Sequence, residues 1–258
     1  MRDGTRLATD LYLPSEDRGT TPTLLLRSPY GKRSPVTLVM FKLERAIERG
    51  YAVAVQDTRG RFASEGSFTP FRPDIEDGFD TIEWISHHAF SDGNVVMAGS
   101  SYLGATQWLA ALSGHPALKA IAPALTASDY YEGWIYQGGA FQLAFNLFWA
   151  LVHLAPDERR RRDGEAAISA SSPASIPVYR RGSGGASDFP ASQASMEVAG
   201  RLLGRIPLSD VDPLRDVADY YFDWLENAGP DSPYWEAISP ERNAARIQCP
   251  ILAISGWY

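Results

Sequence analysis

At 258 residues, with 45% hydrophobic and 21% charged positions, the chain fits one large folded domain or a domain carrying a sizeable insertion. Its net charge of −7 argues against nucleic acid as a partner, since a phosphate-binding face usually needs a basic excess. The single cysteine, Cys249, excludes an intrachain disulfide and reads as a small buried apolar residue, and no apolar run approaches a membrane span.

The chain opens Met1-Arg2-Asp3-Gly4 without the apolar stretch of a signal peptide, so the expected location is the cytoplasm. A strand pattern already at residues 6–13 leaves the native start open. That segment has near-alternating apolar residues and ends at Pro14, as an edge strand does. Residues 23–27 (TLLLR) and 51–56 (YAVAVQ) are short continuous apolar runs, the pattern of strands buried on both faces. Between them, 37–49 reads as a helix closed by Gly50. Asp74 opens a helix with Ile75, Phe79, Ile82 and Ile85 on one face. Residues 94–98 read as a third strand, 102–112 as a helix and 119–122 as a fourth strand. Strands separated by helices predict an α/β fold, a mostly parallel sheet with helices on both faces.

The texture changes after Pro123. Residues 128–157 are dense in aromatics with no strand pattern, and a polar stretch follows that contains Arg159-Arg-Arg-Arg162, read as a solvated helix face. A further helix is expected over 211–228, and a buried strand reappears at 250–255 (PILAIS). The predicted organisation is therefore 1–124 as the first part of the core, 125–245 as a helical cap insertion, and 246–258 as the return to the core.

Residues 94–104 (NVVMAGSSYLG) read as strand, tight turn and helix start, with serine at the apex. In that context a serine is a nucleophile-elbow candidate, because the turn lifts its hydroxyl above the sheet edge. Ser101, with Gly99 two positions before it, fits better than Ser100, which would place bulky Tyr102 two positions after itself. The general pattern G-x-S-x-G has glycine where this chain has Leu103, and the competing reading is a serine that caps the following helix.

Four blocks carry a resemblance: Arg27-Ser-Pro-Tyr-Gly-Lys32, Val55-Gln-Asp-Thr-Arg-Gly60 continuing through Ala63-Ser-Glu-Gly66, Asp92-Gly-Asn94, and Gly99-Ser-Ser-Tyr-Leu-Gly104 with Gln107-Trp108. The sequence resembles the CocE/NonD hydrolases, which share an α/β-hydrolase catalytic domain with the Xaa-Pro dipeptidyl-peptidases. Their elbow is G-x-S-Y-x-G, so Leu103 matches it. The resemblance implies Ser101 as nucleophile, and the Tyr102 N–H and the Tyr30 phenol as the oxyanion hole. It also implies that Trp134 and Trp149 line the acyl side of a substrate pocket, and that the Asp57/Arg59 segment shapes a loop without doing chemistry.

In such enzymes acid and histidine follow the serine. The resembled family's acid directly follows G-W-Y, and this chain ends Ser255-Gly-Trp-Tyr258, so acid and histidine are expected beyond Tyr258 and the chain is expected to be an inactive fragment by itself. His87, His88, His115 and His153 are read as structural or surface residues. The leading function is hydrolysis of aryl or alkyl esters through an acyl-enzyme. Alternatives are amide or Xaa-Pro peptide cleavage, for which Asp129 or Glu132 could anchor an α-amine, and a remnant that binds without turnover. No G-x-G-x-x-G or P-loop pattern follows a strand, and no metal cluster is visible, so no cofactor and no metal are expected; the expected partner is a small-molecule ester or amide, with no nucleic acid and no membrane.

Overall fold

A computed structural model describes residues 1–14, 19–34, 37, 42–164 and 193–256, with side chains of 193–196 left aside. Five strands form the main sheet: β1 (Thr9–Tyr12), β2 (Thr21–Ser28), β3 (Ala52–Asp57), β4 (Ser91–Ser100) and β5 (Leu118–Ala124). Their order is β1-β3-β2-β4-β5, with β1 antiparallel to β3 and every other pair parallel. The parallel register runs Leu25 against Ala54 on one side and Leu25 against Met97 on the other.

The two apolar runs are buried on both faces for a packing reason. On one face Leu25, Ala54, Val95, Met97 and Ile121 meet Ile82 and Ile85 of α2 (Asp74–Ser86) and Ala110 and Ala111 of α3 (Tyr102–Leu112). On the other, Leu26, Val53 and Val55 pack with Leu43 of α1 (Leu43–Glu48) and with Leu103. Strands sandwiched in this way have no solvent face on which to alternate polar residues. Residues 38–41 of the expected first helix lie outside the described residues.

Three expectations change. Residues 250–255 do pair parallel with β5: the Ile121 N–H reaches the Pro250 carbonyl at 3.1 Å, and the Leu252 N–H reaches the Ile121 carbonyl at 2.9 Å. Among the described residues they are exposed, Leu252 at 63%, and their described pairing is with β5. The helix expected over 211–228 is a 3₁₀ turn, Asp212–Leu214, followed by a shorter α-helix, Asp219–Glu226. The aromatic stretch also holds a small hairpin, Tyr136–Gln137 against Ala140–Phe141. Gly138 and Gly139 between those strands both have positive φ (56° and 78°), which a two-residue hairpin turn of this hand demands.

The chain divides into two compact units, 1–141 with 227–258, and 142–226. The second is helical; residues 125–141 and 227–245 group with the sheet. Within it, Leu143–Phe148 runs through a π-turn, Trp149–Leu154, into Ala155–Arg162, where Arg160 pairs with Asp157 and Arg159 donates to the Pro213 carbonyl. No helix among the described residues is long and apolar enough to cross a membrane.

Helices α2 and α3 touch at Gly78, where an added Cβ would stand 2.9 Å from the Ala110 Cβ. Gly78→Val is therefore expected to destabilise the fold by about 2 kcal/mol through overpacking. Urea denaturation checks this; an unchanged midpoint would mean that the helices can part without cost.

Candidate active site

The carboxyl edge of the sheet is where the site is built. β2 and β4 are parallel neighbours, so Tyr30, two residues past β2, and Ser101, the residue after β4, emerge from adjacent strands on one edge. Ser101 turns the chain from β4 into α3 with φ 57° and ψ −126°. For a residue with a Cβ this conformation costs on the order of 1–3 kcal/mol and survives only where its surroundings over-determine it. The surroundings do so here. The Ser101 N–H donates to the Ala124 carbonyl at 2.9 Å, and the Ser101 carbonyl accepts from Gly104 N–H at 2.9 Å and Ala105 N–H at 3.1 Å.

Two glycines make room for the turn. A Cβ on Gly99 would sit 2.5 Å from the Leu103 Cβ, and one on Gly104 would sit 2.6 Å from the Thr126 Cγ2. Gly104 thus supplies the close approach, and position 103 can carry leucine. The left-handed backbone falls on Ser101 and not on Ser100, which ends β4 in an ordinary strand conformation. Ser101 is also solvent-exposed, as a candidate nucleophile has to be.

Tyr30 sits on a loop fastened at several points. Its N–H donates to Ser28 Oγ at 3.1 Å, Arg61 Nε donates to the Pro29 carbonyl at 2.9 Å, and the Lys32 N–H donates to Asp57 Oδ1 at 2.5 Å. The Tyr30 ring packs on the cluster that includes Leu43, Val55 and Leu103. Asp57 is buried and receives a second backbone N–H from Ala63. The DTRG segment therefore acts as a clamp on the Tyr30 loop.

Tyr102 follows Ser101 as the first residue of α3, fully buried. Its phenol donates to Asp74 Oδ2 at 2.8 Å and accepts the Phe71 N–H at 2.8 Å. Asp74 in turn faces Arg27 Nη1 at 3.1 Å, and Arg27, also fully buried, donates through Nε to Gln56 Oε1 at 2.8 Å. Asp77 extends the chain outward to Arg59 Nη2 at 2.6 Å, and Arg59 reaches Asp3 at 2.7 Å. Burial pushes the Asp74 carboxyl up to about 6, against the pull of the Arg27 charge and the Tyr102 hydrogen bond. Burial and the nearby Asp74 charge likewise drive the Tyr102 phenol well above its ordinary value, so it stays neutral. The sequence pattern marks Asp74 as the start of a helix and gives no sign of this role: Pro73 occupies the cap position, and the carboxylate turns inward to Tyr102.

Beside the turn stands an aromatic wall. Phe71 stacks on Tyr130 at 4.2 Å and on Tyr102 at 5.1 Å, and Trp134 meets Phe71 edge-on at 5.3 Å. Phe71 itself holds φ 70°, a second non-glycine strain point next to the elbow. Trp149 belongs to the other unit, where it stacks on Trp224 at 6.0 Å and on Phe145 at 6.5 Å.

Three histidines stand at the wrong end of the sheet. His87 and His88 precede β4, and His115 precedes β5. With 10 residues in β4 at about 3.3 Å each, its ends are separated by roughly 25 Å or more. His115 Nε2 is engaged by Glu83 at 2.8 Å, and its Nδ1 accepts the Ala117 N–H. His153 lies in the π-turn of the second unit, its ring edge-on to Phe148. Among the described residues no group of three or more His, Cys, Asp or Glu is placed to hold a metal ion.

Comparison with known proteins adds an independent line. The model of the X-Pro dipeptidyl-peptidase (S15) family matches residues 3–258. Cocaine esterase of Rhodococcus sp. (strain MB1 Bresler) is 37% identical over the whole chain, which spans 42% of that relative. The crystallised α-amino acid ester hydrolase matches with a TM-score of 0.63 and 26% identity, over 99% of this chain and 41% of that one. An aminopeptidase from a marine sediment Thaumarchaeota archaeon matches with a TM-score of 0.69 and 22% identity, over 100% of this chain and 42% of that one, a likeness of fold. The chain thus spans about two fifths of the length of these relatives.

The Asp74 geometry has a pH consequence. Its folded-state pKa, about 6, lies above the ordinary carboxylate value of about 4, so the folded state binds this proton more tightly than the unfolded state. Its contribution to stability is full below about pH 4 and is lost as pH rises through about 6. Asp74→Asn cannot titrate there. The unfolding free energy of the natural protein minus that of the variant should therefore fall between pH 4 and pH 7; a difference constant across that range would contradict the assignment.

Proposed function

Because the chain belongs to the X-Pro dipeptidyl-peptidase (S15) family, we propose that it provides the nucleophile and oxyanion hole of a serine hydrolase acting on carboxylic esters. The observation that carries this reading is the strained backbone of Ser101, held at φ 57° on an exposed turn between a buried strand and a buried helix. Strain of this kind is maintained at a cost, and at a strand-to-helix turn its use is to present a hydroxyl.

A general base removes the Ser101 hydroxyl proton as the oxygen attacks the ester carbonyl; His87, His88 and His115, at the far edge of the sheet, are not that base. The tetrahedral oxyanion takes hydrogen bonds from the Tyr102 N–H and the Tyr30 phenol. Collapse releases the alcohol, protonated by the conjugate acid of the base, and leaves an acyl group on Ser101. Water then attacks the acyl carbon with the same base assisting, and the carboxylic acid departs. The family resemblance would put Trp134 on the acyl side of the pocket.

Ester substrates are favoured over Xaa-Pro peptides by two considerations. Cocaine esterase and the α-amino acid ester hydrolase both act on esters by name. A dipeptidyl-peptidase needs a carboxylate available for the substrate's α-amine, and the two candidates are engaged. Asp129 accepts the Tyr131 and Glu132 N–H groups at 2.9 Å and the Ser239 hydroxyl at 2.8 Å, and Glu132 accepts the Gly138 N–H at 2.7 Å.

In the whole protein, p-nitrophenyl esters should be turned over far faster than Ala-Pro-p-nitroanilide. Ser101→Ala should lower ester turnover by about 10⁴-fold or more, and Tyr30→Phe by about 10²–10³-fold. Turnover that survives Ser101→Ala would remove the reading, and preference for the anilide would replace ester with peptide hydrolysis.

A further inference from the structure

We infer that the Tyr102 side chain is a positioning device for its own backbone N–H: its phenol bridges the Asp74 carboxylate and the Phe71 N–H, and so fixes the first peptide of α3 beside Ser101. The inference rests on the proposed role of Ser101 and the Tyr102 N–H in ester hydrolysis.

A fully buried hydroxyl needs partners, and this one has both an acceptor and a donor at 2.8 Å. Each partner is itself anchored. Asp74 opens α2 and faces Arg27, which is rooted on β2, held by Gln56 of β3, and donates to the Asp74 carbonyl at 3.1 Å. Phe71 is stacked on the Tyr102 ring at 5.1 Å and on Tyr130 at 4.2 Å. The phenol is therefore tied to the sheet and to a second helix at once. A phenylalanine would fill the same space and keep the stack on Phe71, but lose both hydrogen bonds. Burying a carboxylate and a guanidinium costs free energy that apolar packing at the same place would not. The bridge gives that expense a purpose: an oxyanion donor acts only if it is held where the charge develops, and an error of about 1 Å can cost on the order of 10²-fold in rate.

The test is Tyr102→Phe in the whole protein, which keeps the ring and removes the bridge. We expect kcat for p-nitrophenyl butyrate to fall by about 10- to 100-fold with KM changed less than about twofold. The inhibition constant of a trifluoromethyl ketone, which forms a tetrahedral oxyanion adduct on serine, should weaken by the same factor. Ile82→Ala, a core change in α2, controls for lost stability and should leave kcat unchanged. Should Tyr102→Phe fail to fold, Asp74→Asn, which keeps the phenol and neutralises its acceptor, should give a smaller loss of the same kind. Unchanged kcat, or a kcat loss that the ketone does not share, overturns the inference. Ser101→Ala separates the two levels: if it abolishes turnover while Tyr102→Phe does not lower it, the positioning role alone fails. If turnover survives Ser101→Ala, the reading beneath it fails as well.

Discussion

The arrangement at the sheet's carboxyl edge depends on keeping Ser101 in a backbone conformation that an ordinary residue avoids. Free of constraint, the turn would relax and the hydroxyl would sink toward the first turn of α3, where a serine serves as a cap. Three things oppose this relaxation. The β5 carbonyl at Ala124 takes the Ser101 N–H, the helix takes the Ser101 carbonyl through two N–H groups, and Gly99 and Gly104 allow the chain to approach Leu103 and Thr126 without collision. The parallel sheet adds the rest, because its common direction brings the Tyr30 loop to the same edge.

Behind that turn lies a chain of charges from the buried Arg27 through the buried Asp74 and Asp77 out to the partly exposed Arg59. As a source of stability such a chain is a poor choice, since two desolvated charges regain in mutual attraction little more than they lose. As a source of direction it works well, because charged groups with fixed donors have few alternative arrangements. It joins three segments far apart in sequence: the end of β2, the loop after β3 and the start of α2. All three converge on Tyr102 or on the Tyr30 loop. The Asp57 clamp is a second, smaller example, with one buried carboxylate collecting backbone N–H groups from two loops.

Much of the core was legible from composition alone. The runs TLLLR and YAVAVQ carry no polar alternation because both faces are covered, and the strand-to-helix turn at Ser101 could be read from a strand, a glycine, a serine and a helix in that order. What could not be read were contacts with large sequence separation. Nothing near Asp74 announces Tyr102, 28 residues away, and its position at a helix start gave a sufficient local explanation. Gly138-Gly139 was a hairpin signal in plain view, masked by the aromatic residues around it.

The most direct measurement is to treat the whole protein with a fluorophosphonate, which labels an activated serine, and to map the modified peptide by mass spectrometry. The account predicts one adduct, on Ser101, with Ser100 in the same peptide unmodified. An adduct on Ser100 or on another serine, or no adduct under conditions where the protein hydrolyses esters, would contradict it.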